Sequence, residues 1–265
     1  GYVNTAVAKQ IDTISNELYA LGIHTPPDYY NVNQIINYRN QMNIDSWHSI
    51  IHAPLLTDTT IGEFVTYISP GLCYLESIID NKSAGKEFAP EFGINNGRCT
   101  NNPKYNFIKK EAQRETLLNS QINPVFYDKG RGFSYFKLNL TMQRDDTSLS
   151  EANNVRMINA AAHVADEYMQ QYIGEYNTTR TRNNVTTGLT DQLNSRIVTG
   201  QEYYPYEMTV VCNETNNPTS VIEARQIVVD IRFKFTPGIR YAYVYQRVYK
   251  LSADTETEGD RKSVV

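Results

Sequence analysis

The stretch from Ile239 to Leu251 alternates in side-chain character almost without a break, which predicts a single β-strand of 13 residues. One face of this predicted strand carries Ile239, Tyr241, Tyr243, Tyr245, Arg247, Tyr249 and Leu251. At ~3.3 Å per residue the strand would span roughly 43 Å, whereas strands in globular domains usually have about five or six residues. Because a long unpaired edge promotes aggregation, we expect the outer half to pair with a neighbouring subunit. The residues of this predicted inter-subunit strand are Tyr241, Tyr243, Tyr245, Arg247 and Tyr249.

Tyrosine is unusually frequent in the chain, which has 20 Tyr against nine Phe and one Trp. Tyr combines an apolar ring with a polar hydroxyl, and it therefore suits partly solvated protein interfaces better than fully buried cores. The net charge of −4 and the pI near 5.6 argue against a nucleic-acid partner, because phosphate binding relies on clustered Lys and Arg. Composition therefore favours assembly with other proteins.

Three widely separated cysteines, Cys73, Cys99 and Cys212, occur without a CxxC motif. This pattern predicts neither a disulfide framework nor a structural zinc site, and it favours a reducing compartment. No apolar run approaches the roughly 18 to 20 residues that span a bilayer, so no membrane partner is expected. The chain starts at Gly1 inside a predicted helix, from which we expect it to be a piece of a longer protein.

Hydrophobic periodicity predicts most of the secondary structure. Helices are predicted over residues 2–21, 31–42 and 108–119, from Pro70 onward, from a capping box at Ser148 and Glu151 to Gly174, and around Leu189 to Gly200. Strands are predicted over residues 47–56, on both sides of the Gly-rich turn at 128–132, and over 206–212 and 226–235. Residues 80–107 are rich in Asn, Gly and Pro and predict a long irregular connection.

Candidate catalytic groups are scarce. His48 and His52 are four residues apart, and on a helix both imidazoles would share one face, as in zinc hydrolases, but Ser49 stands where such motifs carry a Glu. The segment at 128–132 lacks the Lys-Ser/Thr pair of a phosphate-binding loop, and no G-x-S-x-G motif occurs. We therefore assign no catalytic, cofactor-binding or metal-binding residue.

Several segments occur in the order and spacing of the C-terminal region of contractile phage tail sheath proteins, which the chain resembles. These segments are "FAPEFGINNGR" at 88–98, "LLNSQINPVFYDKGRGF" at 117–133, "NNVRMIN" at 153–159, "GEYN" at 174–177 and "YEMTVVCNETNNPTSVIEARQIVVDIRF" at 206–233. Asn213, Asn216 and Asn217 in the last segment suit tight turns and left-handed backbone. Met157 replaces a second Arg that often follows Val-Arg in the family, which puts a family-specific ion pair at that position in doubt.

The resemblance implies an α/β (α+β) fold with a mixed β-sheet flanked by helices and a long C-terminal strand able to pair with a neighbouring subunit. It implies a loosely matched helical or mixed part over 1–87, a sheath core over 88–251 and a solvated acidic tail over 252–265. The implied function is structural and needs no enzyme activity or cofactor. Copies of the chain would assemble helically around a tail tube in the host cytoplasm, join baseplate and tail terminator proteins in the virion, and contract to drive the tube through the host envelope.

Three alternatives stay open at this stage. Another phage tail or baseplate assembly protein would share the Tyr-rich strands and the lack of catalytic groups. A metal-dependent hydrolase would use His48 and His52. An extracellular glycan-binding module would stack sugars on Tyr rings, but unpaired cysteines fit poorly with export.

Overall fold

The computed structural model describes residues 4–27, 30–53, 56–58, 66–99, 110–128, 130–237, 243–247 and 260–264. Within these residues the helices are α1 (Thr5–Glu17), α2 (Val32–Met42), α3 (Pro70–Ser83), α4 (Gly93–Asn96), α5 (Glu111–Leu118), α6 (Ala152–Met169), α7 (Thr179–Leu193) and α8 (Thr219–Glu223). The strands are β1 (Gly22–His24), β2 (Ser49–Ala53), β3 (Leu56–Asp58), β4 (Thr66–Ile68), β5 (Arg98–Cys99), β6 (Asn123–Asp128), β7 (Phe133–Phe136), β8 (Glu207–Val211), β9 (Asp230–Lys234), β10 (Tyr243–Arg247) and β11 (Asp260–Val264).

A five-stranded sheet in the order β1-β2-β6-β7-β5 forms the centre of the molecule. β1, β2 and β6 run parallel, while β7 is antiparallel to both β6 and β5. The predicted mixed sheet flanked by helices is therefore confirmed. Two of its strands come from residues 1–87 and three from residues 88–251, so both stretches of the chain share one sheet.

The strand predicted over 47–56 is observed as β2 over Ser49–Ala53, which pairs with β1 on one side and with β6 on the other. All five of its residues are buried. On one side of the sheet, Ile51 and Ala53 pack with apolar residues of α2 and α5. On the other side, Ile50 packs with α3 and with Phe136 of β7. Burial on both faces explains why its side chains show no helical periodicity.

The predicted capping box at Ser148 and Glu151 is wrong. Thr147 and Ser150 form the reciprocal caps of a short 3₁₀ turn over Ser148–Ser150, and α6 begins only at Ala152. The backbone of Glu151 is extended and forms a β-bridge with Leu140. Since Glu151 belongs to this bridge, it cannot supply the third position of a helical first turn.

The second half of the chain packs α6 and α7 against the two-stranded antiparallel sheet of β8 and β9. The strand predicted over 226–235 begins later, at Asp230, because the Val228 backbone is hydrogen-bonded to the side chain of Asn217 instead of to a strand. Within the described residues, no helix is both long and apolar enough to cross a lipid bilayer.

The C-terminal segment folds back on itself. β10 pairs antiparallel with β11, and the register places Tyr243 opposite Val264 and Arg247 opposite Asp260. Within the tail predicted over 252–265, Asp260–Val264 forms a strand that occupies one edge of β10, and the solvation of the tail stays a prediction. The rest of the predicted strand over 239–251 lies outside the described residues.

Candidate assembly interface

The sheet of β8 and β9 combines a covered face with open edges. Val210 pairs with Ile231 across it, and both pack with Phe233 against α6 and α7. Side chains on β9 alternate between half-buried and exposed, so its inner face is only partly covered. Among the described residues, β8 and β9 are hydrogen-bonded as strands only to each other. Each strand therefore presents one edge of backbone N–H and C=O groups to which a further strand could bind.

An open groove of about 980 Å³ lies between the C-terminal end of α6 and the segment formed by α8 and β9. Its apolar lining includes Ala162, Ala165, Met169, Ile173, Ile222, Ile227, Val229 and Ile231. Two residues of the lining, Ile173 and Tyr176, have 76% and 85% of their surface exposed. Exposed apolar surface beside an open strand edge is typical of a protein interaction site.

The Asn-rich loop after β8 is built by side-chain hydrogen bonds. The Asn213 backbone N–H donates to Asn216 Oδ1 at 2.9 Å, and Asn216 Nδ2 donates to the Val211 carbonyl at 2.7 Å. Asn217 is 1% exposed and binds the Val228 backbone at two points, with Nδ2 donating to the carbonyl and Oδ1 accepting from the N–H, both at 2.8 Å. The amide of Asn217 thus pairs with the chain as a neighbouring strand would.

The expected left-handed backbone at these asparagines is wrong, because the described non-Gly residues with positive φ are Tyr19, Asn43, Gln121 and Arg225. The turn is closed by the side chains of Asn213, Asn216 and Asn217, so the backbone stays in ordinary conformations.

Arg182, near the start of α7, joins this loop to the end of α6. Its Nη1 donates to Asn177 Oδ1 and its Nη2 to Glu214 Oε1, each at 2.8 Å. Asn177 Nδ2 in turn donates to Asn217 Oδ1 at 3.2 Å and to the Gln226 carbonyl at 2.9 Å. The hydrogen bond from Arg182 lowers the pKa of Glu214. This network fixes the loop, the lead into β9 and one end of the groove relative to α7.

The predicted inter-subunit residues are only partly described. Tyr243, Tyr245 and Arg247 lie on β10, whereas Tyr241 and Tyr249 lie outside the described residues. Their pairing with another subunit stays a prediction. Ile173 and Tyr176 were not selected from the sequence, although these two large side chains flank Gly174 and Glu175 at the end of the helix predicted to reach Gly174.

The structure separates the two candidate metal ligands. His52 lies on β2 with its Nε2 3.1 Å from Asn139 Oδ1, and His48 precedes the strand with its Nδ1 3.2 Å from the Ala20 carbonyl. An extended segment carries residues four apart to a separation of roughly 13 Å, so the two imidazoles cannot share one ion. The described residues hold no cluster of three or more His, Cys, Asp or Glu side chains suited to a metal. The paired-histidine site that the hydrolase interpretation requires is therefore not formed among the described residues.

Two curated relatives match the sequence, while no protein-family model does. The chain is 24% identical to the "Tail sheath protein" of Enterobacteria phage T4 over 243 residues, which is 90% of the chain and 34% of that protein. It is 26% identical to the "Tail sheath protein" of Vibrio phage KVP40 over 149 residues, or 56% of the chain and 22% of that protein. The chain thus spans about a third or less of the length of these relatives.

Solved structures agree with this match. The sheath complex of an extracellular contractile injection system in its contracted state superposes with a TM-score of 0.64, at 13% identity, over 90% of the chain and 64% of the other. This chain has the contractile sheath fold. The contracted helical sheath of the anti-feeding prophage gives 0.61 at 13% identity over 94% of the chain and 66% of the other, and the baseplate of the same particle gives 0.69 at 12% identity over 95% and 65%.

The sheath fold covers more of the chain than its motifs do. The motifs run from residue 88 to 233, but the T4 alignment covers 90% of the chain and so includes most of residues 1–87. The central sheet gives the reason, because β1 and β2 from this stretch pair with each other and with β6. The first part of the chain therefore belongs to the same fold as the part that carries the motifs.

Proposed function

We propose that the chain is the core of a structural, non-enzymatic subunit of a contractile phage tail sheath. Copies assemble in the host cytoplasm as a helical sheath around a tail tube, between baseplate and tail terminator proteins. In the virion the sheath contracts and drives the tube through the host envelope. The core runs from residue 88 to 251 and is joined to residues 1–87 by the shared sheet.

The observation that carries this proposal is the open edge of β9 beside an apolar groove. A strand from a neighbouring copy would add its backbone to that edge and place alternate side chains into the groove. Ile227, Val229 and Ile231, spaced two residues apart, supply one apolar wall for such a strand. The tail sheath names of the sequence relatives and the sheath fold support the same assignment.

The donated strand is the Tyr-rich segment around β10. In the single chain, β11 pairs with β10, so in the assembly β10 exchanges this partner for a strand of another copy. Backbone hydrogen bonds between exchanged strands persist while the attached domains rotate. Subunits can therefore change their packing during contraction without separating. The energy is conformational, because the extended sheath is metastable and a kinetic barrier holds it.

The test is negative-stain electron microscopy with analytical sedimentation. The chain is examined alone and together with any coding sequence that precedes it in the same reading frame. Long tubes of regular helical repeat are the expected result for at least one of the two. Absence of tubes from both across a range of salt concentrations would contradict a sheath role.

A second candidate follows from the superposition on the anti-feeding prophage baseplate. A sheath-like protein restricted to the baseplate would close into single rings, since it would lack the axial contacts that extend a helix. The same images distinguish the two: stacked tubes support the sheath, and isolated rings support the baseplate protein.

A further inference from the structure

Two of the three cysteines meet in the core beside the central sheet. Cys73 lies in the first turn of α3 and is 3% exposed, and Cys99 ends β5 and is fully buried. Both belong to one apolar cluster of buried residues, in which the Cys73 side chain raises the pKa of the neighbouring Cys99 thiol. All three cysteines are free thiols, and Cys212 lies elsewhere, in the loop after β8, with its sulfur 3.7 Å from Asn217 Nδ2.

The backbone around the two thiols is already held together. α3 packs directly on β5, which is the edge strand of the central sheet. About two helical turns beyond Cys73, Asn81 Nδ2 donates to the Asn96 carbonyl at 2.9 Å. This hydrogen bond connects α3 to the segment that leads into β5. A disulfide needs the sulfurs to close to about 2.05 Å with Cβ atoms roughly 3.8 Å apart. Because both thiols lie in one cluster where α3 packs on β5, side-chain rotation and a shift of the edge strand would bring them to that geometry.

We propose that Cys73 and Cys99 form a dithiol–disulfide switch whose oxidant is a low-molecular-weight disulfide such as oxidised glutathione. One Cys thiolate attacks a sulfur of the oxidant, which forms a mixed disulfide and releases one reduced thiol. The second Cys thiolate then attacks the protein sulfur of that mixed disulfide and releases the other reduced thiol. Overall the two protein thiols lose two protons and two electrons, and the oxidant's S–S bond is reduced to two thiols.

Burial makes this switch slow. The hydrogen bond with Cys73 and the loss of solvent raise the pKa of the Cys99 thiol, so it stays protonated at neutral pH in the closed structure. Because only a thiolate attacks a disulfide, exchange has to wait for a local opening of the contact between α3 and β5. The oxidation rate should therefore rise with pH and with mild denaturant.

The setting of the switch rests on the proposed function, whereas its chemistry does not. A sheath subunit folds in a reducing cytoplasm, and the released particle then meets an oxidising medium. The bond would close a loop of about 26 residues and constrain the unfolded chain, so the oxidised protein should melt roughly 5 to 10 °C higher. It would stabilise the subunit after assembly without interfering with folding.

The experiment incubates the purified full chain with oxidised glutathione at pH 7 and pH 8.5, blocks residual thiols, and maps disulfides by mass spectrometry of non-reduced peptides. We expect a single product linking Cys73 to Cys99, formed faster at the higher pH, together with the rise in Tm. A Cys212→Ala variant should form the same bond at the same rate, while Cys73→Ala and Cys99→Ala should not form it. The same oxidation in concentrated urea should yield all three possible pairings.

Stable glutathione adducts on Cys73 or Cys99 without the intramolecular bond would overturn the proposal, as would a pairing of either residue with Cys212 in the native chain. Mapping on the unsubstituted chain keeps this result decisive even if an alanine variant misfolds. Since nothing is assembled in this test, its failure would leave the sheath role standing, and absence of tubes in the microscope would leave the disulfide standing.

Discussion

Arg156 on α6 forms a buried ion pair with Glu91, whose side chain has no exposed surface. The Tyr74 hydroxyl donates to the Glu91 carboxylate at 3.4 Å, and Asn139 Nδ2 donates to the Glu91 carbonyl. Arg156 Nη2 also donates to the Glu87 carbonyl at 2.8 Å. The pair thus joins two of the motifs read in the sequence, "FAPEFGINNGR" and "NNVRMIN". Met157 has a different role, because it packs in the apolar cluster between α6 and α7.

Removing one charge of this pair should strongly destabilise the fold. Glu91→Gln leaves the Arg156 guanidinium buried without its counter-charge, which costs about 3 to 5 kcal/mol in the free energy of unfolding. Urea denaturation followed by circular dichroism measures it. Glu167→Gln is the matched control, because the Glu167–Arg196 pair lies on the surface, where solvent screens the charges, and its loss should destabilise the fold far less. Equal losses in the two variants would show that burial does not govern the strength of the pair.

Asn217→Ala should destabilise the loop after β8. The substitution leaves the Val228 N–H and C=O without the partner that Asn217 supplies, at a cost of about 3 kcal/mol. Hydrogen exchange should show lost protection at the Val228 amide before global unfolding. Asn183→Ala, at an exposed position on α7, should stay within about 0.5 kcal/mol of the unsubstituted protein. Unchanged exchange at Val228 would refute the two-point interaction as a stabilising contact.

Acidification should destabilise the chain through two buried histidines. Burial lowers the pKa of His24 and of His52 to about 4 each, against an ordinary value of 6.5. Among the described residues the Nδ1 atoms of both rings have no hydrogen-bond partner, so no acceptor favours the charged form there. Below pH 6.5 the unfolded chain binds protons that the folded chain takes up only near pH 4, and stability falls as pH falls through this window. Between pH 7 and 5 the loss should be about 2 kcal/mol per histidine.

Denaturation midpoints at several pH values check this expectation. His52→Gln should reduce the slope of stability against pH by about one proton, because Gln can still donate to Asn139 but does not titrate. The control is His163→Gln, which removes a histidine from an exposed position on α6. A slope that is the same in all three proteins would assign the acid sensitivity to carboxylates instead.

Charging the groove should prevent assembly without unfolding the chain. The double substitution Ile173→Asp and Tyr176→Asp changes two side chains that are already exposed, so Tm should fall by no more than about 2 °C. Buried in a subunit contact, the new carboxylates would be desolvated without partners, and sedimentable tubes should be lost. Tyr204→Asp, an exposed position outside the lining of the groove, should still assemble. Tubes formed by the double variant would exclude the groove as a contact.

The sequence predicted elements whose signal is local and missed those that depend on distant partners. The stripe of α1 and the caps of α3 are contained in the chain around them, so these helices could be placed to within a few residues. β1 has only three residues and is defined by its pairing with β2. The hydrogen bonds of Arg182 and Asn217 join residues up to 40 positions apart in the sequence. No sequence pattern predicts contacts at such separations.

The candidate interface was predictable only in part, for the same reason. Alternation indicated the strand that became β9 and the Tyr-rich segment around β10. The groove takes its lining from α6 and the loop after it, from single residues near the ends of α1 and α7, and from the segment of α8 and β9. A surface assembled from such separate segments has no signature in any one of them. Composition supplied the general expectation of an interface through the abundance of Tyr, without its location.

The order of strands in the central sheet has a consequence for synthesis on the ribosome. β2 is buried on both faces in the folded protein. When β2 leaves the ribosome, only β1 has already been synthesised to pair with one of its edges. The strand that pairs with its other edge, β6, ends about 75 residues later in the chain. At a translation rate of roughly 5 to 20 residues per second, that edge stays open for about 4 to 15 seconds. During this interval the nascent chain exposes a strand that is fully buried in the folded protein, so we expect chaperone demand to be highest before residue 128 has left the exit tunnel.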